Sequence, residues 1–142
     1  MSNVRLIRRR TAGVAATEFA LVLPVMLLLT FAGADVARVL HVHTAVSNAA
    51  RVGAEYGALH PFSPLEPETW ELEVAAVVRE ELSLTGAVDA DLLEIEINTT
   101  TDADGLYHVA LEASYPFATV VGWPGLPSTI PLREYVEFRR LR

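Results

Sequence analysis

The chain of 142 residues contains no cysteine and no lysine. Without cysteine there is no disulfide scaffold, no thiolate zinc site and no cysteine nucleophile. All eleven basic residues are arginine, and they are unevenly placed. Residues 1–13 hold Arg5, Arg8, Arg9 and Arg10 with no acid, whereas all eighteen acids lie at or after Glu18. Beyond residue 13 the count is seven arginines against eighteen acids, a net of −11. A surface of that sign is unsuited to nucleic acid. Aromatic residues are few, at 8%. No phosphate-binding glycine loop, nucleophile–base–acid spacing or catalytic carboxylate pair can be identified, so the sequence offers no case for an enzyme, a cofactor or a small-molecule substrate.

What is present is a long greasy run. Residues 14–34, VAATEFALVLPVMLLLTFAGA, hold one ionisable side chain, Glu18. About 20 apolar residues suffice to cross a bilayer. The arginine leader ahead of the run places the N-terminus in the cytoplasm and sends the acidic remainder across, with membrane lipid as the first partner. An acid inside such a run costs about 2.5–3.5 kcal/mol on insertion scales, so Glu18 is a candidate functional residue. Pro24 removes one backbone hydrogen bond and is expected to kink the helix.

The helical pattern does not stop at the membrane. From Asp35 to Leu59 the chain is alanine-rich and free of proline, with Val36, Val39, Leu40, Val46, Ala50 and Gly53 or Ala54 at three- and four-residue steps. His60-Pro61 is expected to end it. Val14 to Leu59 is about 46 residues, or roughly 69 Å at 1.5 Å per residue, so half the helix emerges from the membrane. Residues 60–67 read as a proline-rich linker. A second helix is expected from about Glu68 to Leu84, with Trp70, Val74, Val77, Val78 and Leu82 on its apolar face, acids in its first turns and Gly86 at its end.

Three strands follow by alternation. Leu93, Ile95 and Ile97 share one face; Asp102-Ala103-Asp104-Gly105 is a turn; Tyr107, Val109, Leu111, Ala113 and Tyr115 form the matching face. A connection from Pro116 to Pro131 carries Phe117 and Trp123, either as an exposed contact loop or packed over the core. The last strand is expected over about 132–141. The fold class is therefore α+β: a long N-terminal helix, one short helix and a roughly three-stranded antiparallel sheet. The expected organisation is a basic leader at 1–13, a transmembrane helix at 14–34, its continuation at 35–59 and a small extracytoplasmic head at 60–142.

Metal sites find little support. His41 and His43 are two residues apart and point to different sides of a helix, and His60 and His108 have no ligand-type partner at a suggestive spacing. Asp102-x-Asp104-Gly105 has the start of a calcium loop without its later ligands.

The residues around Gly13 carry a more specific pattern. A small residue at the polar-to-apolar boundary, with an acid five places on, resembles a prepilin-peptidase site cut between Gly13 and Val14. Gly13-x-x-x-x-Glu18-Phe19-Ala20-Leu21-Val22-Leu23-Pro24 resembles the opening of the TadE-like family, the pilin-like proteins of tight-adherence (Flp-type) systems. Asn48-Ala49-Ala50-Arg51-x-Gly53-Ala54 is similar to that family's second signature, at a similar distance. The resemblance covers roughly residues 8–58. It implies a pilin-like fold and a non-catalytic pseudopilin or minor pilin of the bacterial inner membrane, processed by a prepilin peptidase. Glu18 and Phe19 would then serve subunit register, and other pilins, pseudopilins and an inner-membrane pilus platform would be partners. Two other readings stay open: a secreted protein cut near Ala32-Gly33-Ala34, and an uncleaved single-span anchor bearing an acidic binding domain.

Overall fold

A computed structural model describes the backbone of residues 3–60, 62, 66–86, 88–103 and 105–139, with side chains from Gly13 onward. The arginine side chains of the leader, most of the linker (Pro61 and residues 63–65), Asp104 and the terminal Arg140 and Arg142 lie outside the described residues. The chain divides into two compact units, Met1–Ala37 and Arg38–Arg142. The elements run α1 (Asn3–Leu59), α2 (Pro67–Leu84), a single 3-10 turn (Ala90–Leu92), β1 (Glu94–Thr101), β2 (Tyr107–Ala118) and β3 (Thr129–Arg139).

The first unit holds only the first part of helix α1 among the described residues; the rest of α1 belongs to the second unit. Its helical backbone begins at Asn3, well ahead of Val14. Residues 3–12 contain neither proline nor glycine, and their arginines and leucine are good helix formers, so nothing local stops the helix at the leader. The helix also continues through Pro24. Between Gly13 and Ala34 nearly every residue is exposed, including Phe19, Leu21, Leu23 and Leu29. A helix apolar on all sides has no solvent-facing stripe, which is the surface of a segment that sits in an apolar medium. Thr17 and Thr30 place their hydroxyls on the carbonyls of Gly13 (3.0 Å) and Met26 (2.8 Å), so neither is left unsatisfied.

The second unit is an α+β head. Its sheet has the order β1-β2-β3, antiparallel throughout. The register puts Ile95 opposite Ala113, Ile97 opposite Leu111, and Val136 opposite Leu111 on the other side. One row of β2, namely Val109, Leu111, Ala113, Tyr115 and Phe117, is buried. Against it pack Trp70, Val74, Val78 and Leu82 of α2 and the small residues of α1 from Ala45 to Ala54. Val77 is only half-buried, at the rim of the α2 stripe. Each fully buried valine, leucine or phenylalanine contributes about 1.5–3 kcal/mol. The sheet's other row is exposed on β1 and β3 and half-buried on β2.

Besides the start of α1, three boundaries differ from the sequence expectation. Pro67 belongs to α2 rather than to the linker, at the start of the helix where its missing N–H costs nothing. Phe117 is not in a connection: β2 runs on to Ala118 and β3 starts at Thr129, so the loop is only residues 119–128. Pro116 and Pro131 face each other in the sheet. Two opposed prolines suit a pair that exchanges no hydrogen bonds, and at that point β1 has already ended, at Glu94 opposite Ser114. Phe117 is thereby core, at 2% exposure, and Trp123 stays half-buried in the shortened loop. Finally, β3 is described to Arg139 and begins earlier than expected.

The turns behave as their residues require. Gly86 adopts φ +63° just past α2, and its N–H donates to the Ser83 carbonyl (3.1 Å). Gly105 adopts φ +75° in the β1–β2 turn, where its N–H donates to the Asp102 carbonyl (3.0 Å).

Candidate functional site

The residues singled out from sequence fall into two sets, one in each unit. Gly13, Val14, Glu18, Phe19 and Pro24 lie on the first part of α1. Asn48, Ala49, Ala50, Arg51 and Gly53 lie on its last part, in the head.

In the first set, Glu18 is exposed on the apolar helix, one turn from Val14 and on the same face. The rise over four residues is about 6 Å. Gly13 has open space around its Cα, and glycine inside a helix costs about 1 kcal/mol relative to alanine.

The second set is divided by the helix itself. Ala49, Ala50 and Ala54 are fully buried, whereas Asn48 and Arg51 are exposed. Gly53 lies tight against α2 and β2: a Cβ there would collide with Cγ2 of Val78 and lie 3.3 Å from Leu111. The small half of the segment thus has a packing role. It lets α2 and β2 close onto α1.

Gly57, which sequence reading did not single out, extends the same row. An added Cβ would lie 3.1 Å from the Trp70 ring and 3.2 Å from Val109. The four-residue spacing of Ala49, Gly53 and Gly57 was the available signal. Trp70 packs edge-on against Phe62 (5.3 Å between centroids), and its indole Nε1 is buried without a hydrogen-bond partner among the described residues.

A polar cluster on the open sheet face was also missed. His108 places Nδ1 2.8 Å from Glu137 and Nε2 3.3 Å from Asp102. Arg139 donates to Asp102 (2.9 Å), and Tyr135 donates to Glu137 (3.1 Å). Asp102 also accepts the Leu106 N–H (3.1 Å), which ties the cluster to the β1–β2 turn. The hydrogen bond to Glu137, then partial desolvation and the carboxylate charges of Glu137 and Glu112, hold the Tyr135 phenol above its ordinary 10.0. Elsewhere in the head, Ser47 donates to Glu134 (3.1 Å), and His43 lies 3.9 Å from the same carboxylate. Arg38 sits over the Phe117 ring at 5.1 Å. Among the described residues no group of three or more histidine or acidic side chains could hold a metal ion.

Residues 13–55 match the family model of TadE-like proteins. The similarity to TadE-like proteins is thus confined to helix α1. That family is a structural, pilus-associated one. The TadE-like match spans both the Gly13–Pro24 stretch and the Asn48–Ala54 stretch, and leaves α2 and the sheet outside it. No curated protein and no solved structure matches the chain. The TadE-like helix is long and apolar enough to cross a membrane, which makes it a candidate anchor.

Proposed function

We propose that the protein is a minor pilin or pseudopilin that supports assembly or anchoring of a tight-adherence (Flp-type) pilus, by packing rather than by catalysis. The leader of residues 1–13 stays on the cytoplasmic side of the inner membrane, residues 14–34 span it, and the acidic head stands outside. A prepilin peptidase cuts between Gly13 and Val14. The new α-amino group is cationic near neutral pH, its usual pKa being about 7.7–8.0. It pairs with Glu18 of a neighbouring subunit when helices associate, and Phe19 packs beside that pair. The ion pair offsets the cost of placing a carboxylate in hydrocarbon, about 2.5–3.5 kcal/mol, and fixes the axial register between subunits. Other pilins and pseudopilins, the peptidase and the inner-membrane platform are the partners. Any bend at Pro24 is relieved by neighbouring helices that satisfy the freed carbonyl.

The observation that carries this reading is Glu18, the one ionisable residue in the apolar part of a TadE-like segment, five places after Gly13. Glu18→Gln tests it. The variant is expected to insert normally, as judged by membrane fractionation, and to fail in pilus assembly. Unchanged piliation would remove the proposed role of the carboxylate.

A further inference from the structure

Strand β1 is an edge of the sheet, so one side of its eight residues carries backbone N–H and C=O groups that no strand among the described residues pairs. Two cavities open along this same strand, one on each side of the sheet.

On the inner side is a groove of about 390 Å³ between β1 and α2. Ile95 and Ile97 form its floor, Leu72 and Ala75 its wall. Leu72 is 69% exposed, a large apolar side chain facing solvent beside a half-open apolar floor. Glu68 and Glu71 stand at the rim, with Arg79. On the outer side is a second cavity of about 350 Å³, lined by Glu94, Glu96 and Glu112 together with Ser114 and Arg133. Among the described residues the two cavities thus present five carboxylates and two guanidinium groups.

A strand added beside β1 would send alternate side chains to opposite faces. One set would enter the apolar groove under Leu72, and the other would meet the glutamates of the outer row. We propose that β1 is a strand-addition site for an extended segment of a partner protein in which apolar residues alternate with arginine or lysine. The backbone ladder supplies affinity and the two cavities supply the choice of side chain. A second β1 is a poor occupant, because its own outward row of Glu94 and Glu96 would be set against an identical acidic row. This surface belongs to the head and does not depend on cleavage at Gly13, so either idea can fail without the other.

The test uses the full chain in a non-ionic detergent and a fluorescein-labelled peptide as long as β1, alternating valine and arginine. Comparators are a peptide of the same composition in blocked order, and the alternating peptide N-methylated at every second residue so that it cannot complete a ladder. Anisotropy should show saturable binding of the alternating peptide only. Leu72→Asp and the double variant Glu94→Arg, Glu96→Arg should each weaken it about tenfold or more, with thermal unfolding of the exposed-site variants unchanged. Absence of saturable binding, or equal binding of the blocked-order or N-methylated peptide, would overturn the proposal. So would sedimentation showing that a second copy of the chain already occupies the edge, as self-association abolished by the same double variant.

Discussion

At the scale of single residues, position along the chain and position in space carry different kinds of information. Glu18 stands out from sequence because a charge in an apolar run violates the local pattern, and its proposed partner is the amine of residue 14 on a neighbouring subunit, a group that lies about one turn from Glu18 along each helix. His108 could not be found that way. Its two carboxylates come from the β1–β2 turn and from β3, and only the sheet register brings Asp102 and Glu137 to opposite sides of one ring. Tyr135 offers a direct check of this cluster. With the phenol held above 10.0, its hydrogen bond to Glu137 contributes below that range and is lost as the pH rises through the raised value. Alkaline absorbance titration, with Tyr135→Phe subtracted to isolate one phenol, should show a late midpoint that Glu137→Gln moves back toward 10.0. A midpoint indifferent to that substitution would contradict the assigned geometry.

At the scale of elements, periodicity located the later part of α1, α2 and the three strands, because each has one apolar face, whereas the first part of α1 was legible as an unbroken apolar run. The head's helix pair is held close by absence of side chain: Ala49, Gly53 and Gly57 recur every four residues where α2 crosses. Gly53→Leu is expected to overpack this crossing and to lower head stability by about 1–3 kcal/mol, read by thermal or denaturant unfolding. Arg51→Ala, on the exposed side of the same turn of helix, is expected to stay within about 0.5 kcal/mol of the parent. Equal effects would show that the buried row does not set the α1–α2 distance. The connection around Pro116 and Pro131 was misread because proline argues against a strand. Their mutual opposition beyond the end of β1 removes that objection, and it is a fact of register that no single window of sequence contains. The β1 edge was illegible for the same reason: strand order decides which strand is left without a neighbour.

At the scale of the whole molecule, the account rests on charge asymmetry and on one proteolytic event. A leader whose only charged residues are arginines, an apolar helix and an acidic remainder were readable from composition, and on the proposed function they order the chain across a membrane. The proposed processing was legible only as a resemblance around Gly13. A bulky residue there, as in Gly13→Leu, is expected to leave the leader attached and to hold the protein in its precursor form, seen as retained mass on intact-protein spectrometry. The central claim is that cutting the chain creates the cation that makes Glu18 tolerable. N-terminal sequencing of the protein extracted from membranes and from sheared pili tests this most directly. A mature chain beginning at Val14 is the expected result; a chain beginning at Met1, or beyond the apolar helix near Asp35, would contradict it.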